Sequence, residues 1–370
     1  MIEVAGRLVL DEEVVGGRLG IADGVIVAVE PAAVPPDAPF ISPGLCDVHV
    51  HGFGGYDAMA GPEQLDGMAR ALARRGVTSF LPTGVTAPLD ALARFGEQVR
   101  EWRPRAPADG AQPLGLNLEG PFLAPERRGA HDPTHLRAPA DADFPTLFAP
   151  MLPDLRLITV APEVAGAPAM IRWLAERGVV VSAGHSAATL AQARAGYAAG
   201  ARSTTHLFNA MSGVDHRSPG LAVAALTTDE AYVELIADRH HVDAALWPII
   251  LRTKPPDRLL LVSDGTLLGG TDVRRATLGG LEVAVADGRA ALVAGGALAG
   301  SLIALDEAVR NLVAEGVPLW RAVAAATRNP LALLGVTDCG RLAVGQRADV
   351  IELDAALGVQ RVMIAGEWLA

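Results

Sequence analysis

Four short apolar runs in this chain end in a residue able to bind a metal or move a proton. Glu119 closes "LGLNLE", His185 closes "VVVSAGH", His206 closes "STTH" and Asp264 closes "LLLVSD". A fifth run, "FISPGLCDV", leads into His49 and His51, whose two-residue spacing puts both imidazoles on one face of an extended chain. One carboxylate and two imidazoles fill three positions on a divalent ion and leave one open, which is the donor set of a hydrolytic site. An ion held that way polarises a carbonyl and lowers the pKa of a coordinated water to about 7. A further carboxylate such as Asp264, near the ion but not needed to hold it, can take a proton from the water and pass it to a leaving amine. Taken singly, a histidine after a strand is more often a hydrogen-bonded cap, and an acid there more often caps the next helix. The weight lies in six such groups falling at equivalent places. Cys46, on the run before His49, reads as packing.

For these groups to meet, the runs that carry them must be neighbouring strands with their ends on one rim. The runs "TSFLPT", "LGLNLE", "RLITVAPE", "VVVSAGH", "RSTTHLF", "YVELIAD" and "RLLLVSD" are nearly continuous and apolar, as expected of strands buried on both faces. Helical patterns fall between many of them, at 63–75, 89–102, 187–199 and 302–316. Such alternation predicts a parallel α/β sheet, and the number of strands favours closure into a (β/α)8 TIM-like barrel over 44–344, with its active site at the C-terminal strand ends. Residues 1–43 differ in texture: short apolar stretches are broken by turn signals, Gly16-Gly17 and Asp23-Gly24, and read as hairpins. Residues 345–370 share that texture in "ADVIEL" and "RVMIAGEW", so both ends are expected to build one small β-domain.

Composition narrows the function. The 370 residues are 50% hydrophobic, and 31 basic against 42 acidic side chains give a net charge of −11, which argues against nucleic acid or an anionic membrane as partner. Two cysteines without C-x-x-C spacing point to a reducing compartment. The chain has no apolar run of about 18 residues and no signal-peptide pattern after Met1, so a cytoplasmic location is expected. Lys254 is the sole lysine, and it precedes "RLLLV", which places it at the N-terminal end of the barrel.

The segments "PGLCDVHVHG", "NLEGPFLAPERRGAH", "SAGHSAA", "THLFNAMSGVDHRSPG", "IADRHHV", "LVSDG", "ALAGSLIALDEAVRNLV" and "ATRNPLALLG" occur in order over most of the chain and together resemble the N-acetylglucosamine-6-phosphate deacetylases of the amidohydrolase superfamily. The first motif belongs to the whole superfamily; "LEGPF" with "GAH", "THLFNAM" and "LAGS" are more specific. The resemblance implies a metal-dependent barrel, a small β-sandwich made by both chain ends, and a homodimer. By position, Glu119, His185 and His206 resemble the ligands of a single well-occupied metal, usually zinc, with manganese, cobalt or iron as substitutes. Asp264 resembles the general base and acid. His131, preceded by Ala130, matches a substrate contact near the scissile amide, and Asn209 and Ala210 match a contact to the sugar. Arg217 and His241 resemble the groups that hold the sugar phosphate, Arg217 reaching into the neighbouring subunit's site. Leu298, Ala299 and Gly300 fall on a substrate-contacting loop. Some relatives lack the first-motif histidines; this chain keeps His49 and His51, which allows a second metal. Members that bridge two metals with a carboxylated lysine are disfavoured by the position of Lys254. The implied reaction is deacetylation of N-acetylglucosamine 6-phosphate to glucosamine 6-phosphate and acetate. The alternatives are a deacetylase of the galactosamine epimer or another N-acetyl amino sugar phosphate, or a barrel that binds without catalysis.

Overall fold

A computed structural model describes residues 1–370. Eight parallel strands follow one another in strict sequence order around the barrel: β1 Leu45–Val50, β2 Val77–Val85, β3 Leu116–Glu119, β4 Leu155–Val160, β5 Val180–Ala183, β6 Ser203–Thr204, β7 Tyr232–Leu235 and β8 Leu259–Leu261. All nine residues of β2 are buried, which explains why these strands read as continuous apolar runs and do not alternate. The first and last strands are joined by backbone bonds of the site residues themselves: Asp264 N–H donates to His49 C=O at 2.9 Å, and His51 N–H to Gly265 C=O at 2.9 Å. The seam of the barrel therefore lies under the chemistry.

The helices follow from local signals. Helix α1, Pro62–Ala73, starts on a proline, whose missing N–H costs nothing in the first turn, and turns Leu65, Met68, Ala69 and Leu72 to the barrel at three- and four-residue spacing. Helix α2 spans Leu89–Trp102, the range its periodicity predicts. The helix Leu190–Ala199 is capped by Thr189 and Gln192 in a reciprocal box.

Both chain ends form one seven-stranded sheet, from strands Ile2–Val9, Val14–Ala22, Val25–Pro31, Phe40–Pro43, Val350–Leu353, Val359–Ile364 and Glu367–Trp368. Its core is a separate cluster that includes Leu8, Leu19, Ile21, Ile26, Ile41, Val350 and Met363. The Asp23-Gly24 turn is where the sequence puts it, with φ of 51° and 77°. Gly16-Gly17 is not a turn: both lie within a strand, paired with Arg7 and Gly6. A Cβ on Gly17 would come 2.6 Å from Leu8 Cδ1, so these glycines serve close approach rather than reversal.

A three-stranded meander, Arg275–Leu278, Leu281–Ala286 and Arg289–Leu292, follows β8 and was not anticipated from the sequence. It encloses its own cluster of Leu268, Leu278, Val283, Ala290, Leu292 and Ala299. At the opposite end of the barrel, Lys254 precedes β8 and donates from Nζ to the carbonyls of Ala225 at 3.1 Å and Thr228 at 2.6 Å. It closes the C-terminal end of the helix Leu221–Thr227, where carbonyls lack helical partners.

Candidate active site

Glu119 ends β3 and forms the centre of the site. Five imidazoles surround its carboxylate. Oε1 lies 3.0 Å from His185 Nε2, 2.9 Å from His206 Nε2 and 3.5 Å from His49 Nε2. Oε2 lies 3.1 Å from His51 Nε2 and 3.2 Å from His131 Nε2. Asp264 joins from the end of β8, its Oδ1 3.3 Å from His51 Nε2 and 3.6 Å from His49 Nε2. His185, His206 and Asp264 have φ of 47°, 27° and 47°. Such left-handed backbone costs a non-glycine residue on the order of 1–3 kcal/mol and persists only where surrounding contacts over-determine it.

The far side of each ring shows which nitrogen carries a proton. His51 Nδ1 faces the Thr83 carbonyl at 3.1 Å, and His185 Nδ1 the Arg127 carbonyl at 2.8 Å. His49 Nδ1 faces Glu234 Oε2 at 3.0 Å. Those partners only accept, so each Nδ1 is protonated and donates, which leaves Nε2 facing Glu119, as a lone pair toward a metal ion or, without one, carrying a second proton. His185 Nε2 also lies 3.1 Å from His206 Nε2. Several acceptors thus converge within hydrogen-bond distance of one carboxylate, an arrangement that is repulsive unless a cation sits among them. The donor set therefore fits a divalent metal, and the ligand atoms of His49, His51, Glu119 and Asp264 lie within 4.8 Å of one another. His131 differs from the others. Its Nδ1 accepts from the Thr86 backbone N–H at 3.4 Å, so its Nε2 carries the proton and is a hydrogen-bond donor into the site.

The same field acts on titration. Burial pushes the Glu119 carboxyl up, but the charge of His49 and the hydrogen bond from His131 outweigh it and hold the group well below the usual carboxylate range. Burial opposes ionisation of Asp264 as well, and the hydrogen bond from His51 with the charge of His49 brings it below its ordinary value. For His51, burial is overcome by Asp264 and Glu119, and its pKa rises to about 9. Burial dominates at His131 and takes it down to about 4, in keeping with a neutral donor.

A cleft of ≈ 330 Å³ opens above these groups. Its walls include the predicted Ala130, His131, Asn209, Ala210, His241, Leu298 and Gly300 along with Glu119, His185, His206, His51 and Asp264. His49 is fully buried behind the wall, and Ala299 is buried under the meander, its N–H donating to Ala290 C=O at 3.0 Å. Of the tandem histidines, His241 lines the cleft and His240 is exposed. His241 is anchored by Asp238, whose Oδ2 takes its Nδ1–H at 2.7 Å. Arg217 is on the exposed loop 213–218, outside the cleft lining of its own chain, where its backbone N–H donates to Asp215 Oδ1 at 2.8 Å. Sequence reasoning missed Glu234 and Asp238, both on "YVELIAD", and Leu278 from the meander. The acids inside that apolar run were the available signal, because a carboxylate on a doubly buried strand needs a partner.

An eight-stranded parallel barrel with a buried carboxylate–imidazole centre at its C-terminal rim defines a metal-centred hydrolase. The amidohydrolase family model matches residues 40–369, and the chain belongs to that family. It is 42% identical over 360 residues to an N-acetylgalactosamine-6-phosphate deacetylase of Escherichia coli O157:H7, covering 95% of this chain and 94% of that one. It is 40% identical to the human N-acetylglucosamine-6-phosphate deacetylase over 345 residues, 88% of this chain and 82% of that one. Among solved structures, a Mycobacterium smegmatis N-acetyl-D-glucosamine-6-phosphate deacetylase mutant in complex with N-acetyl-D-glucosamine-6-phosphate superposes with TM-score 0.91 at 35% identity, covering 100% of this chain and 99% of that one.

Proposed function

We propose that this chain hydrolyses the acetamide of N-acetyl-D-glucosamine 6-phosphate, giving D-glucosamine 6-phosphate and acetate. The observation that carries the reading is the Glu119 centre, with imidazole Nε2 atoms turned inward and Asp264 ionised beside it at the floor of a sugar-sized cleft. Glu119, His185 and His206 would hold the first divalent ion, and His49 and His51 a second. An ion there supplies Lewis-acid polarisation of the amide carbonyl and makes water acidic near neutral pH.

The chain's own groups do the rest. Asp264 accepts a proton from the water as its oxygen bonds to the acyl carbon, and returns that proton to the amide nitrogen as the C–N bond breaks. His131 Nε2–H donates to the acyl oxygen as charge develops there. Asn209 and Ala210 orient the sugar through the backbone, and the loop carrying Leu298, Ala299 and Gly300 covers it. His241, held by Asp238, faces the phosphate, with Arg217 supplied by the second subunit of a homodimer. Zinc is the ion that a nitrogen and oxygen donor set favours, although geometry and availability let manganese, cobalt or iron compete. No helix is long and apolar enough to cross a membrane, and a metabolic role in the cytoplasm accords with that. By texture, the barrel takes 44–344 and the small β-domain 1–43 with 345–370.

A second reading is favoured by the Escherichia coli relative named for the galactosamine epimer: the substrate would then be N-acetyl-D-galactosamine 6-phosphate. Acetate release by metal-loaded enzyme should be measured on both phosphorylated epimers and on unphosphorylated N-acetylglucosamine. The expected order of kcat/KM is gluco-phosphate, galacto-phosphate, free sugar. A tenfold preference for the galacto-phosphate transfers the assignment to the second reading, and no acetate from any of them sinks the deacetylase.

A further inference from the structure

One buried carboxylate has no part in this chemistry. Glu234 is on β7, with no solvent exposure, beneath the ligands. Its Oε2 accepts two hydrogen bonds, from His49 Nδ1–H at 3.0 Å and from the backbone N–H of His206 at 3.1 Å, while its Oε1 has no partner. A buried carboxylate is costly, and packing alone gives no reason for one in the wall of a barrel.

Its two contacts suggest what it does. Because a carboxylate can only accept, it keeps the His49 proton on Nδ1. The opposite nitrogen, Nε2, is then the one left to ligate; it is buried and without a hydrogen-bond partner, 3.5 Å from Glu119 Oε1 and 3.6 Å from Asp264 Oδ1. Through its second bond Glu234 also holds the left-handed turn at His206, a ligand of the neighbouring subsite. A single side chain on β7 thus ties β1 to β6.

We propose that Glu234 is the positioning residue of the metal centre: it fixes His49 as an Nε2 ligand and so sets the affinity for the second ion. This rests on the reading of His49 and His51 as a second subsite. A carboxylate behind a ligating imidazole fixes its tautomer and raises its basicity, and losing such a partner typically costs 10–100-fold in metal affinity.

The test is a calorimetric zinc titration of metal-stripped full-length wild type, Glu234→Gln and His49→Ala/His51→Ala, with histidine 15N spectra of the first two. Wild type should bind two ions per chain and show His49 protonated at Nδ1. Glu234→Gln, nearly isosteric, should keep the first ion bound, weaken the second about 10–100-fold and shift the His49 ring resonances. Unchanged affinity for both ions in folded Glu234→Gln, or a wild-type His49 that is protonated at Nε2 and not at Nδ1, overturns the role of Glu234. If the double histidine variant still binds two ions, or wild type takes only one, the second-subsite reading fails and the proposal goes with it. If Glu234→Gln does not fold, the wild-type spectrum still decides, because Nδ1 protonation is required.

Discussion

The Glu119 centre and the loop 213–218 were singled out by the same resemblance, yet they are built in opposite ways. Around Glu119, groups from five strand ends are buried against one another, and the rings of His49, His51, His131 and His185 are held from behind by a carboxylate, a carbonyl or a backbone N–H. In the loop, residues 213–218 are all exposed, and Asp215 accepts from the backbone N–H of Arg217 and of Ser218 in a self-contained turn. The centre is finished within one chain, because its geometry is over-determined by the barrel. The loop presents an arginine to solvent with nothing in its own chain to receive it. Chemistry in this protein is a property of the subunit, and recognition of the phosphate, on the reading proposed above, is a property of the pair.

The largest expected effect tests the self-sufficiency of the centre. Asp264→Asn should lower kcat at least a hundredfold, within the ~10²–10⁴ range of general acid–base groups, while zinc content by elemental analysis stays near wild type. Most activity retained in a folded variant would remove Asp264 from the mechanism. Loss of zinc together with activity would make it a ligand instead.

A smaller effect tests the loop. Arg217→Ala should raise KM for the 6-phosphate about 10–100-fold, the worth of a charge-assisted hydrogen bond, with little change for the unphosphorylated sugar. Mixed dimers sharpen the contrast. Arg217→Ala and Asp264→Asn subunits, each nearly inactive at low substrate, should regain activity on co-refolding, because one of the two composite sites then holds both intact residues. If heterodimers form and nothing is restored, Arg217 serves its own chain or does not meet the phosphate.

The smallest effect concerns protons in the centre. In metal-stripped protein the His51 pKa of about 9 exceeds the unfolded value of about 6.5, so its contribution to stability is full below about pH 6.5 and is lost as pH rises through about 9. Metal affinity must run the other way, rising about tenfold per pH unit for each proton an ion displaces, up to about pH 9. Thermal melts of stripped protein and zinc titrations between pH 6 and 9 should therefore slope in opposite directions. Parallel slopes would show that His51 does not exchange its proton for metal.

The sequence by itself carried the barrel and its chemical rim. Doubly buried strands are continuous apolar runs, so Glu119, His185, His206 and Asp264 stand out as polar residues at their ends, and α2 could be read to its limits because its periodicity and the adjoining prolines are local. What depends on distant partners was not legible there. Gly16-Gly17 has the composition of a turn and lies in a strand, because Ala32 and Val34 leave no room for a Cβ at Gly16, nor Leu8 and Glu30 at Gly17. The meander over the cleft gives a weak signal of its own, being held by a small cluster that draws on Leu268 before it and Ala299 after it. The roles of the histidines were decided last. His49, His51, His185 and His131 are the same residue type, and only the group placed behind each ring, Glu234, the Thr83 and Arg127 carbonyls, or the Thr86 N–H, determines which nitrogen keeps the proton and so whether the ring ligates or donates.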